Sequence, residues 1–209
     1  MEIASVASFK TILKKLETWD WELFLDLYES KFSHKKLVIT FAKIYSFFGN
    51  IYFWGLVWLV LGVYGFFTKD YLLFILITGG FQQSIILHII VRYIIVKRNR
   101  PFITLKERGV IQKDDLIGEN KSFPSGHVTF FVFFGCIFAF HFNSWLLFGI
   151  FLLLGIIMAL TRVILGVHFP IDVIFGFIFG IVFALLYLGL TYEYWLDFYY
   201  WLGRTFSPF

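Results

Sequence analysis

Long apolar runs separated by short polar breaks dominate the chain. A helix of about 20 apolar residues crosses the roughly 30 Å of hydrocarbon in a bilayer, and one run, which is interrupted by Lys43, is shorter than that. The pattern predicts an all-α, polytopic membrane bundle of about six transmembrane helices in a single domain covering residues 1–209. The predicted helices are residues 37–48, 51–67, 71–96, 127–142, 145–161 and 171–190.

The two ends of the chain have different patterns. Residues 8–31 carry charged side chains interleaved with apolar ones such as Leu16 and Trp19 at helical spacing, which predicts an amphipathic helix within an interfacial segment over residues 1–35. Such a helix lies along the membrane surface or packs on the bundle from the aqueous side, and the sequence leaves both placements open. The tail over residues 192–209 is rich in tyrosine and tryptophan and is expected at an interface.

Composition narrows the class of protein. Hydrophobic residues make up 59% of the chain and charged residues 15%, with a mean hydropathy of +0.80, which excludes a disordered protein and argues against a soluble domain. The net charge of +4 is too small and too dispersed to indicate nucleic acid as a partner. Cys136 is the only cysteine, so an intramolecular disulfide is impossible.

Two polar segments are predicted to meet at one membrane face. Residues 97–124 form the only long polar stretch between the apolar runs, and residues 162–170 form a second, shorter one. Two helices joined by a tight turn at Asn143 separate these segments, so both emerge on the same side of the membrane. Ionisable groups near a bilayer are costly and usually functional. We therefore expect a site at this face and call residues 97–124 the catalytic-face loop.

Three residue clusters on this face point to phosphate chemistry. Residues 124–127 predict a helix start with Ser125 as its N-cap, and the unpaired backbone N–H of Gly126 at that positive end attracts anions. Arg100 in the loop and Arg162 at a helix end add two guanidinium groups that can clamp an oxyanion. Taken alone, residues 124–127 could be a simple helix cap, and each arginine could contact lipid headgroups. Their combination on one face favours phosphoryl transfer.

Two histidines suggest a division of labour in this site. His168 directly precedes the predicted last helix, and Asp172 lies in its first turn, where a carboxylate can accept the ring N–H and fix the tautomer. His168 is therefore the predicted nucleophile, and His127 is the predicted acid that protonates the leaving oxygen. Because a helix N-terminus disfavours imidazolium, His127 needs the charge of a bound phosphate to stay protonated.

These clusters resemble the signature of the type 2 phosphatidic acid phosphatase superfamily, which includes vanadium haloperoxidases and bacterial acid phosphatases. Its pattern is Lys-x6-Arg-Pro, then Pro-Ser-Gly-His, then Ser-Arg-x5-His-x3-Asp. The second motif is complete at residues 124–127, and the third covers residues 161–172 with Thr161 in place of serine. The first matches at Arg100 but has Tyr93 where the lysine is expected.

The resemblance implies a six-helix layout over roughly residues 35–190 and metal-independent phosphoester hydrolysis with no cofactor. It implies a phosphohistidine intermediate at His168, oriented by Asp172, with His127 protonating the leaving group. The implied phosphate ligands are Arg100, Arg162, Ser125 and the Gly126 amide.

The missing lysine has two candidate replacements. Arg92 stands one residue before Tyr93, reaches further than lysine, and ends a polar stripe with Ser84 and His88 at i, i+4 spacing. We predict that Arg92 binds phosphate in place of the lysine, with Lys97 as the second candidate. The alternative is that the stripe satisfies a buried arginine inside the bundle.

The predicted function is dephosphorylation of a membrane lipid, because the site opens at the bilayer surface. Lipid A 1-phosphate or undecaprenyl diphosphate is favoured over phosphatidylglycerophosphate or phosphatidic acid. Vanadate-dependent oxidation is a second enzymatic alternative. A non-enzymatic lipid transporter is an alternative of another class, and the complete set of His127, His168 and Asp172 argues against it. Beyond the lipid substrate and the bilayer, the sequence implies no protein partner.

Localisation follows from charge. If residues 37–48 cross the membrane, the basic N-terminal segment predicts a bacterial cytoplasmic membrane protein whose site faces the periplasm. The acidic residues Asp114, Asp115 and Glu119 are expected to belong to a solvated loop.

Overall fold

The described residues of the computed structural model, 2–114 and 118–206, form helices and no strand. The predicted all-α membrane bundle is confirmed. The helices are α1 (Glu2–Tyr28), α2 (Lys36–Phe47), α3 (Ile51–Thr68), α4 (Tyr71–Ile89), α5 (Pro101–Thr104), α6 (Gly126–His141), α7 (Trp145–Ile164), α8 (Pro170–Leu186) and α9 (Tyr192–Phe206). Short π-helical segments extend α4 to Ile95 and join α8 to α9.

Four continuous helical stretches in the described chain are long and apolar enough to cross a membrane, and α6 is a shorter apolar helix among them. Polar residues at the breaks start several of these helices. The side chain of Asn50 accepts the backbone N–H of Tyr52, and Asp70 caps α4 in the same way. The four long stretches are Ile51–Thr68, Tyr71–Ile95, Trp145–Ile164 and Pro170–Leu202.

The predicted span over residues 37–48 forms α2, which begins and ends beside the same face of the bundle. Its 12 residues extend about 18 Å, short of the roughly 30 Å of hydrocarbon. Its first half packs on Leu165, and its last turn brings Ser46 into contact with Arg162. Consequently α1 lies on the face that carries the catalytic-face loop, where Tyr28 contacts Ile111.

Helix α1 combines the two placements that the sequence left open. Between residues 11 and 19 it exposes apolar side chains, including Leu16 and Trp19, each nearly half exposed. Its second half packs on the bundle through Phe24, which is fully buried with its ring centroid 5.3 Å from that of Phe169. Tyr28 is also buried, and its hydroxyl contacts the backbone of Ile111 in the catalytic-face loop.

The aromatic tail is helical and packs on α4. Trp195 donates its indole N–H to Gln83 at 2.7 Å, and the hydroxyl of Tyr199 donates to Gln82 at 3.1 Å. Two amide side chains in an apolar helix need hydrogen-bond partners, and α9 supplies them by continuing the line of α8. The last residues of the tail, 207–209, lie outside the described residues.

Glycines let α6 and α8 approach closely, and this pair of helices carries His127 and Asp172. A Cβ at Gly176 would lie 2.9 Å from the Val128 Cβ, and one at Gly180 would lie 2.8 Å from the Thr129 carbonyl oxygen. Small residues four apart are the usual device for close helix packing in membranes. The spacing of these two glycines therefore sets the position of the two active-site helix ends.

We predict that Gly180→Val destabilises the bundle, because the added side chain collides with α6. Overpacking of this kind costs about 1–3 kcal/mol, and thermal unfolding of the detergent-solubilised protein measures it. Gly149→Val is the matched control, since a Cβ at Gly149 on α7 has no atom within 4 Å. Equal melting temperatures for the two variants would contradict the close α6–α8 contact.

Candidate active site

The catalytic-face loop closes at its base, which brings its two ends together. Asn99 and Lys121 form an isolated antiparallel bridge, and the backbone N–H of Ser122 donates to the Arg98 carbonyl at 2.9 Å. The hydroxyl of Ser122 donates to the Asn99 carbonyl at 3.0 Å. This closure places Arg100, two residues after Arg98, beside the start of α6.

His168 lies between a guanidinium and a carboxylate. Its Nε2 is 3.2 Å from Nη1 of Arg100, and its Nδ1 is 3.7 Å from Oδ2 of Asp172. Proline at the first position of α8 starts the helix just after His168 and sets Asp172 in its first turn. The other contacts of Asp172 Oδ2 include the backbone N–H of Phe169 at 2.8 Å. The predicted His168–Asp172 proximity is therefore present, with Nε2 facing the arginine side.

Burial and positive charge control protonation here. Burial, and then the charges of Arg100, Arg162 and Arg92, lower the pKa of His168 well below its ordinary value of 6.5. Burial, reinforced by the charges of Arg92 and Arg162, also lowers the pKa of Arg100 to about 9. At neutral pH the histidine is therefore neutral, as a nucleophile must be, whereas Arg100 keeps its charge.

A cavity of about 340 Å³ opens beside His168. Gly126, His127, Arg92 and Arg100 line it, so the start of α6 and the catalytic-face loop meet His168 across one space. Its other wall comes from α3 and α4 and is formed largely by apolar side chains. These are Ile51, Tyr52, Ile85 and Ile89.

Arg92 lies in this cavity and is held by the catalytic-face loop. Its side chain donates to Glu119 at 2.6 Å and to the Pro124 carbonyl at 2.7 Å. Ser84, by contrast, donates to a carbonyl of its own helix. The polar stripe of Ser84 and His88 therefore does not supply the hydrogen-bond partners of Arg92. Lys97, the second candidate for the missing lysine, is exposed and does not line the cavity.

Arg162 and Ser125 lie behind the cavity wall. Arg162 is fully buried and pairs with Asp114 at 2.8 Å, while the same nitrogen contacts the hydroxyl of Ser46. Ser125 occupies the N-cap position of α6, but its side chain makes no capping hydrogen bond, contrary to the predicted cap. Its backbone N–H instead donates to the Asp172 carbonyl at 3.0 Å and ties α6 to α8.

Several buried polar atoms around the cavity have no protein partner among the described residues. Buried polar groups are nearly always hydrogen-bonded, so each unsatisfied one calls for an explanation. Arg92, His88 and His168 line the cavity, and unpaired arginine N–H groups suit the oxygens of a tetrahedral oxyanion. The atoms are Nε of Arg92, Nε and Nη2 of Arg162, Oγ of Ser125, and Nδ1 of His88 and His168.

Two acidic residues of the loop pair with arginines, which corrects the expectation of a simply solvated loop. Asp114 is 5% exposed and neutralises Arg162, and Glu119 pairs with Arg92. The cost of an unpaired buried arginine explains both contacts. Asp115, predicted in the same loop, lies outside the described residues. In the described chain, no three histidine, cysteine or acidic side chains are grouped to hold a metal ion.

Sequence reasoning missed three supports of the site. Arg98 of the loop donates to Asp172 and also to Asp20 of α1, and Gly49 packs directly on His127, where a Cβ would lie 2.8 Å from the histidine Cβ. The nearest signal in the sequence is that Asp20 and Phe24 are four residues apart, which places them on the same face of a helix. Nothing in the sequence alone links Asp20 to a residue 152 positions later.

Comparisons with known proteins agree with this geometry. The sequence model described as "PAP2 superfamily" matches residues 68–195. The fold is similar to that of Aquifex aeolicus LpxE, with 23% identity, a TM-score of 0.61, and coverage of 80% of this chain and 93% of that one. It is also similar to a PAP2 type phosphatidylglycerolphosphate phosphatase from Bacillus subtilis, with 18% identity, a TM-score of 0.65, and coverage of 86% and 87%. No curated protein sequence matches the chain.

We predict that Arg92→Gln weakens binding of inorganic phosphate by about 10- to 100-fold, the range for losing a hydrogen bond to a charged group. Titration calorimetry or phosphorus NMR on the solubilised protein measures the affinity. Arg108→Gln, on an exposed residue of the same loop, and Lys97→Gln are the controls and are expected to bind as the unsubstituted protein does. A loss confined to Lys97→Gln would instead assign the missing lysine's role to that residue.

Proposed function

The chain belongs to the PAP2 superfamily, and on that premise we propose that it is a lipid phosphatase that acts through a phosphohistidine at His168 without a metal or cofactor. The observation that carries the proposal is the single cavity in which His127, His168, Arg92 and Arg100 meet. A neutral nucleophile, an acid and an anion-binding wall are the parts that phosphoryl transfer needs.

The geometry assigns a role to each ring nitrogen. With its proton on Nδ1, facing Asp172, His168 presents the lone pair of Nε2 for attack on phosphorus. The P–O bond to the lipid breaks as His127 gives its proton to the leaving oxygen. Water then attacks the phosphorus of the phosphohistidine, His127 takes a proton from that water, and inorganic phosphate and neutral His168 are restored.

The arginines, with Ser125 and the Gly126 amide, are proposed to hold the three non-bridging oxygens. Arg100 contacts Nε2 of His168, so its guanidinium lies beside the position that the transferred phosphoryl group takes in this proposal. The unpartnered nitrogens of Arg92 and Arg162 supply further donors. Charge stabilisation by preorganised donors is usually the largest contribution to such reactions.

The lipid nature of the substrate is supported by the wall that α3 and α4 contribute. Tyr52 and Ile89 line the cavity and are well exposed, so the α3–α4 side of its mouth presents apolar surface. A lipid chain can therefore stay in the membrane while its phosphate enters. We propose lipid A 1-phosphate or undecaprenyl diphosphate as substrate, with phosphatidylglycerophosphate and phosphatidic acid as the next candidates in the same assay.

Removal of either histidine separates their roles. We predict that His168→Ala abolishes phosphate release from every lipid phosphate. His127→Ala is expected to slow a lipid substrate by about 10²- to 10⁴-fold, the usual worth of acid catalysis. With p-nitrophenyl phosphate, whose leaving group needs no proton, the same variant should release p-nitrophenol rapidly in the first turnover and then slow, because hydrolysis of the phosphohistidine still needs His127 as its base.

His34→Ala, on an exposed histidine of the same face, is the control and should retain full activity. Phosphate release that survives in His168→Ala would exclude the phosphohistidine. A wild-type protein that moves lipid but releases no phosphate from any candidate would support the transporter alternative.

We also propose an orientation for this site in a bacterial cytoplasmic membrane, and the placement of α2 favours the side opposite to the periplasmic one predicted from sequence. The periplasmic prediction required residues 37–48 to cross, but α1 and the catalytic-face loop share one face. Within the described chain, the lysines and arginines of α1, of α2 and of the loops lie on this face, except for Lys69 after α3. Arg204 in α9 is a second exception. Because positive residues stay in the cytoplasm, we assign the catalytic face to the cytoplasmic side.

Cysteine labelling in intact cells tests the orientation. In a Cys136→Ser background, we predict that Asn143→Cys on the opposite face reacts with a membrane-impermeant maleimide and that Arg108→Cys in the loop reacts only after lysis. Both positions are exposed, so a difference between them reports sidedness. The reverse pattern would restore the periplasmic site.

A further inference from the structure

Arg98 joins the N-terminal helix to the carboxylate that orients the nucleophile. Its Nη1 donates to Oδ1 of Asp172 at 2.9 Å, and its Nη2 contacts Oδ2 of Asp20. Asp20 is fully buried, and its second oxygen accepts the backbone N–H of Ile171 at 2.8 Å. Both oxygens of Asp20 are thus used within the active-site wall, although the residue belongs to α1.

The surrounding packing fixes this bridge. The guanidinium of Arg98 lies over the ring of Phe169, 4.2 Å from its centroid, and the same ring makes an edge contact with Phe24 of α1. Asp20 and Phe24 are one helical turn apart, so the same face of α1 supplies the charge and the ring. A bidentate arginine between two buried carboxylates leaves little rotational freedom to any of the three groups.

The orientation of Asp172 matters because its contact with His168 is long. The distance from Nδ1 of His168 to Oδ2 of Asp172 is 3.7 Å. At that distance, a small rotation of the carboxylate can turn Oδ2 away from Nδ1. Oδ2 is held from one side by the Phe169 N–H, and Oδ1 is held from the other by Arg98. Without the second hold, the carboxylate can turn about its Cβ–Cγ bond and stop fixing the tautomer of His168.

We infer that Asp20 and Arg98 are positioning residues for the hydrolytic reaction: they hold Asp172 in the orientation that directs the Nε2 lone pair of His168 towards the phosphate. The inference rests on the proposed function and extends it, because it makes the N-terminal helix part of the active site. The amphipathic helix therefore does more than seat the protein in the interface.

Charge-neutral substitution tests the bridge. Asp20→Asn keeps the shape of the side chain but weakens its hold on Arg98, and Arg98→Lys cannot reach two carboxylates with parallel hydrogen bonds. Each is expected to lower kcat by about 10- to 100-fold with KM changed less than about threefold, since one charge-assisted hydrogen bond is lost and substrate contacts stay. Asp26→Asn and Arg108→Lys, both on exposed residues, are the matched controls and should keep wild-type kcat.

A double-mutant cycle separates positioning from mere stability. If Asp20 acts through Asp172, then Asp20→Asn added to Asp172→Asn causes no further loss of kcat, whereas independent effects multiply. Melting temperatures identify variants that fail to fold, and in that case the Arg98→Lys and Asp172→Asn pair provides the same cycle.

The outcomes are distinct from those for the function itself. Wild-type protein that releases no phosphate refutes the proposed function. Active wild type with full kcat in folded Asp20→Asn and Arg98→Lys, or losses that multiply with Asp172→Asn, would overturn the positioning role. Non-multiplying losses in kcat at nearly constant KM support it.

Discussion

The need to compensate charges buried at a membrane face governs this structure. Arg92, Arg98, Arg100 and Arg162 are all largely buried beside His168, and an unpaired buried charge costs several kcal/mol. Each arginine accordingly has a partner from elsewhere in the chain. Arg92 pairs with Glu119, Arg98 with Asp20 and Asp172, and Arg162 with Asp114, whereas Arg100 donates to backbone carbonyls. These contacts fold the catalytic-face loop onto the helix ends and bring α1 against the bundle.

The same charges prepare the site for its chemistry. Burial, together with positive charge close to His168, keeps the imidazole neutral, and in the proposed mechanism that charge also attracts the phosphate that the imidazole attacks. The pairing is incomplete, because nitrogens of Arg92 and Arg162 have no protein partner in the described chain. The site is therefore satisfied internally where it must be rigid and unsatisfied where we propose that the phosphate binds.

Sequence alone predicted the parts of this arrangement that depend on local spacing and on helix parity. His168 and Asp172 are four residues apart at a helix start, and the hairpin at Asn143 brings His127 to their side of the membrane. It did not predict Asp20–Arg98 or Asp114–Arg162, because those pairs join distant segments and leave no periodic trace. It also could not distinguish a short crossing helix from α2, whose position depends on tertiary contacts with Leu165.

The most direct test of this account is identification of the phosphorylated residue. Rapid alkaline quenching of the enzyme during turnover of a lipid phosphate, followed by peptide mass spectrometry, preserves and locates a phosphohistidine. We expect phosphate on His168 in the wild type and none at that position in His168→Ala. With p-nitrophenyl phosphate as the donor, we expect a larger phosphorylated fraction of His168 in His127→Ala than in the wild type. Steady turnover with phosphate on another residue, or with an unmodified His168 in both active proteins, would contradict it.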